Sequence, residues 1–339
     1  MSDSVAAENQ LAASIVVPTR NRSRLLLELI RSLLVQDLDP LQYEIVIVDN
    51  CSRDDTAQMI AALQVQHPGR IVYHPLTQDR GPCHARNVGV NLARGSIVAL
   101  TDSDCRASSD WLRNGLNSFR DGIAFVSGCV LDKPEQELRL FSGSYSPVTE
   151  EHPTYPACNI FYRRDVFLAM NGFDESLYFK NFIDGKPIEC ADTDLAWRIK
   201  NAGERSAFAK GAVIFHEVAN RAPLNWIVDP FRIFAIPALV KRHPQLRPLL
   251  LMGGLFFRVE NILFDIAIVA ALLAIFLNHY FFLACLPYPL YVFYLMARQN
   301  FSVLRIPKLI AQVILLSARQ FFVSAGLMYG SLRFGSLVL

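Results

Sequence analysis

The 339-residue sequence sets 33 lysines and arginines against 31 aspartates and glutamates, a net charge of +2. That near-neutral balance excludes the electrostatic footprint of a nucleic-acid binder, so no nucleic acid is expected as a partner. Length allows about two domains, and composition divides the chain accordingly: residues up to about 225 resemble an ordinary soluble domain, whereas from about 231 long apolar runs appear and Glu260 and Asp265 are the only acids.

Residues 1–13 carry acids, lack the basic start and apolar core of a secretory leader, and are expected to be disordered. "SIVVP" (14–18) reads as a buried strand. It is followed by a helix on which Leu25, Leu26, Leu29, Ile30, Leu33 and Leu34 recur at helical spacing. "EIVIVD" (44–49) is a second strand, "SRDDTAQMIAALQ" a helix with Asp and Thr at its start, and "RIVYH" (70–74) a third strand. A helix over "GPCHARNVGVNLARG", which Gly95 is placed to end, leads into a fourth strand, "SIVALTD".

Apolar strands alternating with amphipathic helices predict an α/β fold with a mostly parallel sheet, whose ligands bind beyond the carboxyl ends of the strands. Thr19, Asn21, Asp49 and Asp102 all fall there. From 124 to 160 the pattern loosens: "AFVSGCVL" is a strand, and the stretch after it reads as a long irregular connection. "RRDVFLAMNGFDE" and "ADTDLAWRIKNAG" are short helices, and "GAVIFHE" is a last strand ending in His216. The seven scattered cysteines contain no CxxC pair and read as reduced thiols of a cytosolic compartment.

An apolar strand that ends in Asp102-Ser103-Asp104 has two readings. Oxygen ligands at an open strand end suit Mg²⁺ or Mn²⁺ completed by phosphate oxygens; alternatively the triplet is a turn capping the next helix. Asp192 and Asp194 likewise offer a general base, or an N-cap (Asp192) and a helix-surface pair with Arg198 four residues on (Asp194). His216 is a third metal ligand or a hydrogen-bonded rim residue. Arg86 and Asn87, near a helix amino end, suit a diphosphate or form a solvated face.

Taken together and in order, "SIVVPTRNR", "EIVIVDNCSRDDT", "DRGPCHARNVGVNLARGSIVALTDSDC", "ACNIFYRRDVFLAMNGFDE" and "ADTDLAWRIKNAG" resemble the family 2 glycosyltransferases, inverting enzymes of the GT-A fold. The resemblance implies a nucleotide-diphosphate sugar donor and Mn²⁺ or Mg²⁺. Pro18, Thr19 and Asp49 would lie near base and ribose, with Asn21 and Ser103 alongside. Asp79 and Arg86 would lie near the nucleotide, Asp102 toward the ribose, Asp104 on the metal with His216 beside it, and Asp192 would be the catalytic base. Ala191 stands where the family usually carries an acid.

Beyond 226 the chain reads as a membrane-associated helical region. Runs 259–277 and 279–297 are close to the roughly 20 residues that cross a bilayer. They suggest a hairpin whose basic flanks keep both ends, and the domain at 14–225, cytoplasmic at an inner or plasma membrane. The run 309–334, interrupted by Arg319 and Arg333, is expected to lie in the interface, or to span with Arg319 facing protein. These features point to sugar transfer onto a glycan or glycolipid acceptor, with membrane lipid as a partner. The other readings are a non-catalytic nucleotide-sugar-binding subunit and a nucleotidyltransferase.

Overall fold

The computed structural model describes residues 11–137, 141–143, 147–181, 183, 185, 187–300 and 306–339, without the side chains of 187, 297–300 and 306–309. The chain forms two compact units, one drawn from Met1–Phe179 and Glu189–Ala219, the other from Lys180–Ile188 and Asn220–Leu339. Residues 1–10 of the expected disordered leader lie outside the described residues, and Ala13, its last member, already belongs to the first strand.

In the first unit, strands β1 (Ala13–Thr19), β2 (Tyr43–Asp49), β3 (Ile71–Pro75) and β4 (Ile97–Thr101) alternate with helices α1 (Ser23–Leu34), α2 (Thr56–Gln66) and α3 (Gly81–Leu92). After β4 come β5 (Cys105–Ala107), α4 (Trp111–Asn117), β6 (Ile123–Asp132), β7 (Asn159–Arg163) and α5 (Arg164–Ala169). Two short strands, β8 (Tyr178–Lys180) and β9 (Pro187–Glu189), each divided between the two units, precede α6 (Ala191–Asn201) and β10 (Arg205–His216), which complete the first. One sheet runs in the order β3-β2-β1-β4-β7-β6-β10-β5. The pairs β3–β2–β1–β4 and β6–β10 are parallel, and β7 lies antiparallel between β4 and β6. β1 and β2 are buried along their whole length, as strands covered by helices on both faces must be. Leu26, Leu29, Ile30 and Leu33 of α1 seal one face.

Three local readings change. The stretch expected to be irregular up to Ile160 ends in β7, because Asn159–Arg163 can pair on both sides. Gly95 does not end α3, which stops at Leu92; a Cβ there would overlap the backbone of Ala13 and Ser14, so the residue is needed for close approach to β1. The carboxylate serving the start of α2 is Asp54, which accepts from Thr56 N at 3.2 Å and from Ser23 N, at the start of α1, at 3.1 Å. One side chain thus ties two helix amino ends together.

Asn159 shows how the middle of the sheet is held. Its amide donates to Cys129 O and Ala212 O, each at 2.8 Å, and its carbonyl accepts from Trp111 Nε1 at 2.8 Å. Ala212 lies in a bulge where the β10–β6 register jumps from Ala209 to Val213, so Asn159 satisfies a carbonyl the ladder leaves open.

The second unit is helical: α7 (Pro223–Val228), a 3₁₀ segment (Asp229–Ala235), α8 (Ile236–Arg242), α9 (Arg247–Leu250), α10 (Val259–Phe276), a 3₁₀ segment (His279–Cys285), α11 (Pro287–Asn300) and α12 (Ile306–Phe334). Val259–Phe276, His279–Met296 and Ile310–Phe334 are long and apolar enough to cross a membrane. The second run is not one α-helix: α11 starts afresh at Pro287, where a missing N–H costs nothing. Gly326 and Gly330 let α12 touch backbone; a Cβ at 326 would stand 2.7 Å from Phe231 O, and one at 330 would overlap Phe234 O. Arg319 donates to Trp226 O and covers its ring at 4.5 Å, so this charge faces protein.

Candidate active site

The carboxyl ends of β1, β2, β4, β6 and β10 lie at one edge of the sheet, because these strands run parallel to one another. β1 and β2 pair with Thr19 opposite Asp49. Pairing of β1 with β4 stops at Val16, two residues before Pro18, the residue with no N–H to give. Just past these ends the backbone turns sharply: Asn21 has φ of 50° and Cys51 of 63°, in the left-handed region. Such conformations persist where surrounding bonds over-determine them. Here Asn21 N donates to Ser52 Oγ (2.8 Å), Asn21 Oδ1 accepts from Arg53 N (2.7 Å), and Asp49 Oδ1 accepts from Ser52 N (2.9 Å).

Asp49 Oδ2 also accepts from the Tyr73 hydroxyl at 2.7 Å, and burial together with that carboxylate pushes the phenol up. Thr19 Oγ1 is buried with no hydrogen-bond partner among the described residues. Asp79 closes this side, accepting from Asn50 Nδ2 (2.7 Å) and Gly81 N (3.2 Å) and pairing with Arg20. Burial pushes its carboxyl up, but these bonds and the guanidinium outweigh it and hold the group below the usual carboxylate range.

Asp102, Ser103 and Asp104 lead from β4 directly into β5, so they cap no helix. Asp104 Oδ2 accepts from Arg22 Nη1 at 2.6 Å, whereas Oδ1 is buried with no hydrogen-bond partner among the described residues. His216 Nε2 stands 3.6 Å from that oxygen. His216 Nδ1 lies 2.8 Å from Glu217 O, and a carbonyl only accepts, so Nδ1 carries a proton and Nε2 is the ring nitrogen turned toward Asp104. A carboxylate oxygen without a hydrogen-bond partner among the described residues and an imidazole nitrogen beside it are ligand types that fit a divalent cation of the Mg²⁺ or Mn²⁺ kind. The Cys105 sulfur lies within 4.8 Å of both ligand atoms, but burial pushes its thiol up, which makes it a poor third ligand.

Arg86 links the remaining groups. Its side chain, 7% exposed, donates through Nη2 to Asp102 Oδ1 at 2.6 Å and through Nη1 to Glu189 Oε2 at 2.9 Å. Burial pushes the Asp102 carboxyl up, yet Arg86 outweighs it, so the group stays ionised. Glu189 Oε1 also accepts from Cys83 N in the first turn of α3 at 2.9 Å.

Asp192 is the second residue of α6, not its N-cap; Oδ1 accepts from Thr193 N (2.8 Å) and Oδ2 from Ala157 N (3.2 Å). Burial pushes its carboxyl up to about 6, against the pull of these N–H groups and of Arg86. Asp194 makes the expected pair with Arg198, at 2.8 Å, but at 0% exposure the pair is buried, and Arg198 also donates to Gly172 O at 2.6 Å. Its role is structural.

The sequence-derived residues thus gather in two connected groups. Asp49, Asp79, Thr19 and Asn21 form one, Asp102, Asp104, Arg86, His216 and Asp192 the other, and consecutive residues Asn21 and Arg22 join them. Pro18 lies within β1, and Ser103 is buried between the two aspartates. Sequence reasoning missed Arg22, Tyr73, Asn50 and Glu189. Only Arg22 left a signal, a second arginine beside Asn21 beyond the first strand.

Residues 14–171 match the model of the family described as Glycosyl transferase family 2. The chain is 27% identical over 242 residues to the glucosyl-dolichyl phosphate glucuronosyltransferase of Haloferax volcanii, covering 66% of this chain and 74% of that protein. It is 27% identical over 263 residues to the pre-mycofactocin glycosyltransferase of Mycobacterium tuberculosis, covering 71% of this chain but 50% of that one. Among solved structures, a mannosyltransferase from Pyrobaculum calidifontis in complex with GDP-Man and Mn²⁺ superposes with a TM-score of 0.59 at 18% identity, over 95% of this chain and 86% of that one.

Proposed function

Residues 14–171 are a glycosyltransferase family 2 domain on a GT-A fold, and from that premise we propose that the chain is a membrane-anchored inverting glycosyltransferase. It moves a sugar from a nucleotide-diphosphate donor to a glycan or glycolipid acceptor, with a lipid-linked glycan intermediate as the acceptor class. The observation that carries the reading is that buried Arg86, bonded to Asp102 two residues before a cation-ready pair (Asp104, His216), also acts electrostatically on Asp192, a carboxylate whose proton affinity lies near neutrality.

In this reading Thr19, Asn21, Asp49 and Asp79 receive the base and ribose, with Pro18 and Ser103 shaping the floor. Asp102, kept ionised by Arg86, faces the ribose. Asp104 and His216 hold Mn²⁺ or Mg²⁺, which when bound supplies positive charge for the departing diphosphate. Asp192 is ionised above pH about 6 and takes the proton from the acceptor hydroxyl as that oxygen attacks the anomeric carbon from the face opposite the leaving group. One displacement inverts the configuration, and no second catalytic carboxylate is required.

The catalytic domain is assigned to 14–225 and the membrane-associated region to 226–339. Support for the anchor comes from exposed apolar side chains along its helices, among them Ile275, Phe276, Leu283, Leu290, Ile314 and Leu332. A relative that acts on glucosyl-dolichyl phosphate supports a lipid-linked acceptor. Lys241, Arg242, Arg247 and Arg258 precede the first two apolar runs and Arg298, Arg305 and Lys308 follow them, a distribution that supports a cytoplasmic catalytic domain at an inner or plasma membrane.

The test is nucleoside diphosphate release from a panel of nucleotide sugars by detergent-solubilised protein, with Mn²⁺, Mg²⁺ or EDTA and a membrane lipid extract. Metal-dependent turnover that needs the extract is expected. Binding without turnover, unchanged by Asp192→Asn, would leave a nucleotide-sugar-binding subunit instead.

A further inference from the structure

Ala191 leaves no acid beside Asp192, yet a second carboxylate reaches the same neighbourhood from Glu189. Glu189 closes β9 and Asp192 is the second residue of α6, with two residues between them. Its two oxygens are both committed: Oε1 accepts from Cys83 N in the first turn of α3 and Oε2 from Arg86 Nη1, each at 2.9 Å. The far arm of Arg86 holds Asp102 Oδ1 at 2.6 Å. A continuous charge-assisted chain therefore runs from the segment that carries Asp192, through the interior of α3, to the first aspartate beyond β4. Glu189 lies 103 residues from Arg86 in the sequence and was not among the residues that the family pattern marks.

We propose that Glu189 is a positioning residue for the transfer reaction, holding Arg86 as a strut that sets the distance between the Asp192 segment and Asp102. The inference rests on the function proposed above. Without Glu189 the guanidinium keeps one anionic anchor of two, while the start of α6 loses its tie to α3. The base then wanders relative to the donor, which costs turnover more than donor binding. The charges facing Asp192 are Arg86 and Glu189, with the neutral thiol of Cys83 on α3 and the neutral phenol of Tyr162 on β7. Glu189 raises the Asp192 carboxyl and Arg86 lowers it. Removing the Glu189 charge therefore shifts the acid limb of the rate profile downward.

The test compares wild type with Glu189→Gln, which keeps the shape of the side chain but offers one acceptor oxygen where two N–H donors now find one each, and Glu189→Ala, all as full chains, using the nucleotide sugar that wild type turns over. Expected for Glu189→Gln is a kcat roughly ten- to a hundredfold lower, a KM for the donor within about threefold, and an acid limb displaced by about one pH unit toward acid. Glu189→Ala is expected to be slower still and to release nucleoside diphosphate without acceptor at a larger share of its total rate. A Glu189→Gln enzyme with wild-type kcat and an unmoved limb overturns the inference and leaves the function standing. So does loss confined to thermal stability, with kcat normal once the variant is folded. A wild type that turns over none of the nucleotide sugars overturns the function and the inference together.

Discussion

The two units break the ordinary rules of a protein surface in opposite ways. In the first, charge is buried: Arg86, Asp194 and Glu44 are almost without solvent, each matched by a partner, and an Asp104 oxygen is left unmatched. In the second, apolar bulk is exposed, with Phe276 and Leu332 each 79% accessible on helices that carry few charges. Unpaired buried polar atoms and uncovered apolar faces both cost free energy in water. In the function proposed above, an ion and a polar ligand answer the first exception and lipid the second.

The sharpest way to break this comparison is Asp192→Asn, which should lower transfer about a hundred- to ten-thousandfold without harming the fold. The folded carboxyl, at about 6, lies above its unfolded value of 3.8, so the folded state binds the proton more tightly. Stability is therefore lost as pH rises from about 4 to about 6 and stays lost above. Asparagine escapes that loss, and denaturant titration at pH 7.5 should find the variant more stable by about 1–3 kcal/mol, with no gain at pH 4.

Next in size is Asp104→Ala, which should weaken Mn²⁺ binding by about a hundredfold or more in calorimetry while leaving flotation with phosphatidylglycerol vesicles unchanged. If flotation is lost as well, the two units do not carry separate tasks. A roughly fivefold fall in kcat between pH about 6 and pH about 5 follows from protonation of the base, and stopped assays across that range measure it. Smallest is Gly330→Leu in the second unit. The side chain would meet the Phe234 carbonyl and cost about 1–3 kcal/mol, seen as faster proteolysis in detergent with nucleoside diphosphate affinity intact.

How far the sequence could be read follows the same division between local and distant bonds. β1, β2 and β4 were legible because strands buried on both faces must be apolar almost throughout, whereas β3, half-buried at the sheet edge, kept only a short apolar run. Asp102 and Asp104 stood out because an apolar strand cannot absorb them. β7 was hidden: five residues behind a Pro- and Ser-rich stretch carry no period of their own, and their strand character comes from neighbours on both sides. Arg22 reaches Asp104 across 82 positions and Glu189 reaches Arg86 across 103, distances over which no local pattern announces a partner. The expected surface pair of Asp194 with Arg198 had the right geometry and the wrong environment, because spacing reports neither burial nor the carbonyls waiting at Met170 and Gly172.

The pairing of His216 with Asp104 also sets an order of events during synthesis. β4 and its aspartates leave the ribosome early, and their histidine partner follows roughly a hundred residues later, at the end of the last strand of the sheet. At about 5–20 residues per second, that interval lasts several seconds. Throughout it the nascent chain holds Asp104 without His216, one half of the proposed cation site. If these two residues hold metal as proposed, the complete pair of ligands exists only after β10 has docked on β6 and β5, so metal occupancy would mark completion of the sheet.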